Sequence, residues 1–225
     1  MPNVPLSRAL LGEFIATAML LIAVVGSGIA AERLAGGNIA IALLANAIAT
    51  GGALYALIVT FAPISGAHMN PIVTLAAALL DGFPWRRVAP YVAIQIAAAV
   101  CGVAVAHAMF DLPLVQASTH VRTGLGQWIG EAVATAGLLV VIWGSTRHGV
   151  TTTAAAVALY ITGAYWFTSS TSFANPAVTI ARSLTDTFAG IAPGNVAGFI
   201  AAQAVGAALA LVLIRATGLD RRAAP

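Results

Sequence analysis

The chain has 225 residues, 60% of them hydrophobic and 8% charged. A soluble domain covers its surface with roughly 25% charged residues, so this composition excludes an ordinary water-soluble domain and turns the outer surface toward a lipid bilayer. The pI near 9.6 comes from ten arginines and no lysine, but they are scattered between apolar runs, without the basic stripe and interleaved aromatics of a nucleic-acid binder.

A hydrocarbon core about 30 Å thick takes roughly 20 apolar residues as a helix. In chain order, full spans are predicted at 8–30 and 39–61, a half-span at 70–80, and a full span at 87–109. Full spans follow at 127–145 and 151–169, then a second half-span at 175–184 and a last full span at 195–215. Gly36-Gly37, Pro63, Asp81-Gly82 with Pro84, Pro113 and Pro193-Gly194 break the chain between them. The whole chain, 1–225, reads as one all-α membrane domain.

Residues 8–30 have some features of a signal peptide, with Arg8 ahead of an apolar stretch and small residues near Ala30. The second half argues otherwise. Gly12-Glu13 followed by Ala16-Thr17-Ala18 recurs as Gly130-Glu131 followed by Ala134-Thr135-Ala136, and a signal peptide does not recur inside a protein. Gln95 and Gln203 match loosely in the same way. The halves, about 1–110 and 120–225, each hold three spans and a half-span. Three is odd, so the second half enters from the opposite side as an inverted repeat.

Arginine placement sets the orientation. With the N-terminus inside, Arg8, Arg86, Arg87, Arg147, Arg215, Arg221 and Arg222 are cytoplasmic, against Arg33, Arg122 and Arg182 outside. That bias follows the positive-inside rule. The expectation is a multi-pass protein of the inner (plasma) membrane with both termini cytoplasmic.

The half-spans open on one repeated phrase: Asn70 to Ala76 read NPIVTLA and Asn175 to Ala181 read NPAVTIA. Pro71 and Pro176 suit the first helical position, where a missing N–H costs nothing. Asn70 and Asn175 suit the cap. An Asn amide turned into a pore donates to a passing solute. Two half-helices meeting at their N-termini place two partial positive charges at mid-membrane, which repels cations and opposes proton hopping. The residues before each Asn (Gly66, Ala67, His68; Ser172, Phe173, Ala174) read as non-helical. The backbone carbonyls of Gly66, Ala67, His68, Phe173 and Ala174 are candidate acceptors lining the pore, the one place such backbone is tolerated at membrane depth.

On Ser65-Gly66-Ala67-His68-Met69-Asn70-Pro71, Asn175-Pro176-Ala177, Glu13 and Glu131, the chain resembles an aquaporin of the major intrinsic protein family over almost its whole length. The resemblance implies an aquaporin-like fold, six transmembrane helices plus two re-entrant half-helices, and no enzymatic activity. It implies a homotetramer with one pore per protomer. It also implies that Glu13 and Glu131 accept hydrogen bonds from the half-helix loops; on the residues alone, each could instead be an interfacial helix-end carboxylate. Ile72 departs from the usual Ala of the motif, a change expected to alter packing between the half-helices.

Family spacing puts a selectivity filter at Thr50, Gly163, Ser172 and Val178, with Ala164 the alternative to Gly163. Most members carry Arg where this chain has Val178. The expectation is a wide ring without formal charge, passing water and larger uncharged solutes such as glycerol, urea or As(OH)3. The Arg-less pattern followed by Ser183-Leu184-Thr185-Asp186-Thr187-Phe188-Ala189-Gly190 resembles a bacterial branch associated with arsenic resistance, which implies arsenite and methylated arsenicals as solutes. Arg182 lies one turn beyond Val178. It either places a positive charge in the outer vestibule or pairs with Asp186.

No cofactor is expected, and no His/Cys spacing suggests a metal. His68 reads as lining the cytoplasmic mouth or as structural, and His107 and His148 as interfacial. Cys101 reads as a packed helix residue, and Trp85, Trp128 and Tyr91 as interfacial anchors. The main rival reading is a secondary transporter, which also uses inverted repeats and broken helices but needs a coupling ion site. An intramembrane enzyme would rest on Ser27 with no base near it in sequence. A non-conducting structural protein is the third alternative.

Overall fold

The computed structural model describes residues 4–220; Arg221 and Arg222 lie outside the described residues. In chain order its helices are α1 (Leu6–Leu34), α2 (Ile39–Ser65), α3 (Pro71–Leu80), α4 (Trp85–Met109), α5 (Leu125–Ser145), α6 (Val150–Phe167), α7 (Pro176–Arg182) and α8 (Val196–Thr217). Single 3₁₀ turns precede α6 and α8. Six helices are long and apolar enough to cross a membrane. The other two, α3 and α7, have ten and seven residues. At 1.5 Å per residue they reach about halfway through the hydrocarbon core.

The two halves pack alike. Helix α4 lies along α1 and α8 along α5, while α2 meets α6 between the halves. Gly102 of α4 presses against the backbone at Ala18 of α1, and Gly206 of α8 against the backbone at Ala132 of α5, so close that a Cβ at either position would collide with a carbonyl. Small residues at these crossings let the backbones approach, and van der Waals packing holds helices together where lipid supplies no hydrophobic drive. The outward faces carry apolar side chains such as Leu159 and Val212.

Each half-helix starts for the same local reason. Asn70 and Asn175 adopt extended backbone and cap α3 and α7 with their side chains, and Pro71 and Pro176 take the first helical positions. The segments before them are non-helical and repeatedly enter the left-handed region: Gly66, Ala67 and Met69 in one, Thr171, Ser172 and Ala174 in the other. Five of those six are not glycine, and such backbone persists only where its surroundings hold it.

Several expectations about individual residues are corrected. Cys101 is exposed on α4 rather than packed. Tyr91 is fully buried, its hydroxyl donating to the Ser65 carbonyl at 2.9 Å, so it is a core residue and not an interfacial anchor. His107 is fully buried as well, joined to Thr185 Oγ1 at 2.7 Å. Trp85 and Trp128 are exposed near the ends of α4 and α5.

Candidate functional site

The two non-helical segments are each held by one buried carboxylate. Glu13, fully buried on α1, accepts from His68 N–H at 2.9 Å and Met69 N–H at 2.8 Å. It also takes the Ser65 hydroxyl at 2.7 Å and Gln95 Nε2 at 2.8 Å. Glu131 on α5 repeats the arrangement, accepting from Phe173 N–H at 2.8 Å, Ala174 N–H at 2.9 Å and Gln203 Nε2 at 2.6 Å. Gln95 and Gln203 each donate again, to Thr74 and to Thr179. Thr74 and Thr179 return to the carbonyls of Asn70 and Asn175. The matched networks satisfy buried polar groups that would otherwise cost about 1–3 kcal/mol apiece.

The half-helices meet through their caps. Asn70 Oδ1 accepts from Ile72 N–H at 2.9 Å, while its Nδ2 donates to the Ala174 carbonyl at 2.8 Å. Asn175 Oδ1 accepts from Ala177 and Val178 N–H, while its Nδ2 donates to the Met69 carbonyl at 2.7 Å. An amide NH2 has two donors. One on each Asn is spent across the junction, and the other has no protein acceptor among the described residues. The Ala174 carbonyl is therefore partly engaged and not a free acceptor.

A cavity of about 270 Å³ runs past both asparagines. At one end it reaches Asp81, Trp143, Thr146 and Val150, and at the other Thr50, Ser172, Val178 and Arg182. Gly66, Ala67, His68, Phe173 and Ala174 all line it. The His68 ring is fixed against Thr74 Oγ1 at 3.1 Å and beside Phe83 and Tyr91, so this residue both lines the cavity and is structurally held. Pro71, Pro176 and Ala177 shape the helix starts but are not among the lining residues. Neither is Ile72. It packs in an apolar cluster with Leu139, Ala210 and Ile214, so its bulk is taken up on the side of α5 and α8 instead of at the half-helix junction.

Two filter expectations are corrected. Gly163 does not line the cavity, and neither does Ala164. Gly163 faces the Phe167 ring. The lining positions of α6 are Val150, Thr153, Val157, Ile161 and Tyr165, a stripe at spacings of three and four along one face. Residue 163 is two positions off that stripe, on the far side of the helix. The α6 contribution at the end of the cavity near Val178 is the large Tyr165, not a small residue.

Arg182 lines the cavity although it is only 2% exposed. Its Nε donates to the Ala189 carbonyl, and its guanidinium carbon lies 3.4 Å from the centroid of the Phe173 ring. Of the two alternatives for Arg182, the pair with Asp186 does not form among the described residues. Asp186 instead accepts from the Thr119 N–H at 2.7 Å and hydroxyl at 2.9 Å, with His120 at 3.9 Å. Those bonds hold the Asp186 carboxyl below its ordinary value.

Arg122 is a residue that sequence reasoning placed only by side. Its Nε donates to the Gly190 carbonyl at 2.7 Å, and its guanidinium carbon is 5.3 Å from the same Phe173 ring. Burial draws its pKa below the ordinary value, against the pull of Glu131. Together Arg122 and Arg182 hold the carbonyls of the short segment 188–190.

The sequence profile of the Major intrinsic protein family matches residues 1–166. The chain is 49% identical over 215 residues to the aquaglyceroporin AqpS of Rhizobium meliloti (strain 1021), covering 96% of this chain and 92% of that protein. The chain belongs to the major intrinsic protein family. Members of this family are membrane channels and not enzymes, and the six long apolar helices make this one an integral membrane protein. Aquaporin NIP6-1 of Arabidopsis thaliana is 34% identical over 126 residues, which span 56% of this chain and 40% of that protein. The X-ray structure of the aquaglyceroporin from Plasmodium falciparum superposes with a TM-score of 0.74 at 20% identity, covering 96% of this chain and 99% of that one. That likeness establishes the fold: six spans with two half-helices in an inverted repeat.

Proposed function

We propose that this family member is a passive channel for small polar solutes, conducting glycerol, urea and metalloid hydroxides such as arsenite and methylated arsenicals, together with water. The observation that carries the reading is the single cavity passing both Asn70 and Asn175 and reaching Val178. Each asparagine keeps one amide hydrogen for a solute, and the two half-helix N-termini disfavour cations there. The filter is assigned to Thr50, Ser172 and Val178, with Arg182 one turn beyond. Val178 leaves room where a long cation would narrow the passage. Arg182 offers donors suited to the oxygens of polyols and oxo acids. The similarity to a protein named an aquaglyceroporin supports the glycerol class.

A coupled transporter is disfavoured on physical grounds. Glu13 and Glu131, buried within spans, already accept four and three hydrogen bonds from the groups they hold, which disfavours either as the site of a coupling ion. We assign both termini to the cytoplasm of a plasma membrane and the assembly to a homotetramer, the latter by family resemblance alone. The test is stopped-flow light scattering on proteoliposomes, comparing wild type with Val178→Arg and Arg182→Ala. The reading expects wild type to pass glycerol and arsenite, Val178→Arg to lose both while keeping water, and Arg182→Ala to change arsenical uptake. A wild type that passes only water refutes the filter assignment.

A further inference from the structure

Helix α6 is the shortest of the six spans, with 18 residues, and its faces differ little in polarity. It turns Val150, Thr153, Val157, Ile161 and Tyr165 to the cavity, while Leu159 and Trp166 are exposed on the outside. Lipid tails are as apolar as these side chains. Partitioning alone therefore does not decide which face of α6 meets the passage, and directional contacts have to fix it.

Two such contacts flank Ile161. At 3.6 residues per turn, Tyr160 and Thr162 stand about 100° to either side of it. The Tyr160 hydroxyl donates across to α5, to the carbonyls of Val133 at 3.3 Å and Ala134 at 3.2 Å. Gly137 opens α5 at that point, since a Cβ on it would collide with the Tyr160 hydroxyl and ring. Phe167 braces the ring from α6 itself, edge-on with centroids 5.7 Å apart. In hydrocarbon, a Tyr hydroxyl turned away from these carbonyls finds no water to replace them. On the other flank, Thr162 Oγ1 donates to the Ala158 carbonyl at 2.8 Å and reaches the Ala47 carbonyl of α2 at 3.4 Å. Gly51 makes the room there, since a Cβ on it would collide with Thr162 Oγ1.

We propose that Tyr160 and Thr162 are positioning residues of this channel. Their hydrogen bonds into the glycine notches of α5 and α2 fix the rotation of α6, and with it the set of side chains that forms this wall of the passage. Neither residue lines the cavity, so both act on a solute only through the stripe that they orient. The proposal rests on the passive-channel reading and deepens it by naming what holds one wall in register.

The experiment measures that rotation by cysteine labelling in proteoliposomes. The parent carries Cys101→Ser, because Cys101 is exposed. A single cysteine is then placed at Val157, which lines the cavity, or at Ala156, which does not and lies one turn before Tyr160. The probe is 2-hydroxyethyl methanethiosulfonate, a small neutral reagent that needs a thiolate and so reacts where water reaches. Val157→Cys is predicted to label at least about tenfold faster than Ala156→Cys, as a lock stronger than one net hydrogen bond requires. Tyr160→Phe keeps the ring and removes only the hydroxyl; Thr162→Val does the same at nearly constant shape. Each should lower the labelling preference by about fivefold and move the glycerol-to-water permeability ratio by more than about twofold. Gly137→Ala, which fills the notch from α5, should act as Tyr160→Phe does. A merely structural role lowers the amount of folded protein and leaves the preference within the folded fraction unmoved. Preferences within about twofold of the parent's in both Tyr160→Phe and Thr162→Val overturn the proposal while the channel reading stands. Equal labelling of the two cysteines in the parent also overturns it. A parent that passes no more glycerol than empty vesicles overturns both.

Discussion

Replacing Glu131 by Ala isolates what the buried carboxylates do. The carboxylate is the acceptor for Phe173 N–H, Ala174 N–H and Gln203 Nε2. Gln203 keeps a second bond, to Thr179 Oγ1 at 2.8 Å, whereas the two backbone groups lose the acceptor they have. At ~2 kcal/mol for each orphaned donor, the substitution costs about 4 kcal/mol. For a chain of this length ~1 kcal/mol moves Tm by ~2–4 °C, so the melting temperature falls by about 8–16 °C. Intrinsic tryptophan fluorescence of the purified protein in detergent measures it. Val212→Ala on the exposed outer face of α8 is the control and should shift Tm by less than about 2 °C. The loop that Glu131 holds carries Ser172 and Phe173 into the cavity wall, so solute permeability should fall with stability. Glu13→Ala, which strips His68 and Met69 N–H together with Ser65 and Gln95, should cost at least as much. A fall of Tm no larger than the control's would refute the claim that these carboxylates hold the loops.

Asn175→Ala removes both the cap of α7 and the bond to the Met69 carbonyl; solute flux per folded protein should drop at least about tenfold, with a stability loss of about 1–2 kcal/mol by thermal melting. Trp143→Phe deletes the donor to Asp81 Oδ1 at 3.1 Å at the far end of the cavity; it should lower Tm by a few degrees while leaving the ratio of glycerol to water permeability unchanged in stopped-flow assays. The clasp between Asp186 and Thr119 carries a definite pH sign. Because its hydrogen bonds lower the folded carboxyl below the ordinary value of 3.8, the contact is complete above that value and is lost as the pH falls through the lowered folded value. Hydrogen exchange at the Thr119 amide should stay slow from neutral pH down to the ordinary carboxylate range and, corrected for intrinsic rate, quicken only below it.

The fold was legible because its signals are local. Six apolar runs of bilayer length, two Asn-Pro helix starts and a repeated Gly-Glu pair fix spans, half-helices and symmetry without any long-range contact being known. The helix bounds differ by only a few residues: α1 runs to Leu34 instead of 30, and α7 stops at Arg182 instead of 184. The end of the cavity around Val178 was less legible because it depends on rotation about α6 and on where long side chains reach. The lining stripe from Val150 through Thr153, Val157 and Ile161 to Tyr165 is present in the spacing, and following it would have pointed to Tyr165 over Gly163. Nothing local marks Arg122, whose side-chain hydrogen-bond partners lie 48 to 68 positions away. Arg182 lies against the Phe173 ring and the Ala189 carbonyl, a cation over an aromatic face being favourable in a buried setting, while Asp186 finds two donors at Thr119.

The central claim, a passive pore between two asparagine-capped half-helices, is tested most directly by the concentration dependence of glycerol flux into proteoliposomes without any ion gradient. The account predicts flux that rises linearly with the gradient, does not saturate, and is unchanged by collapsing proton or sodium gradients. Flux that saturates at low millimolar glycerol and requires such a gradient would contradict it.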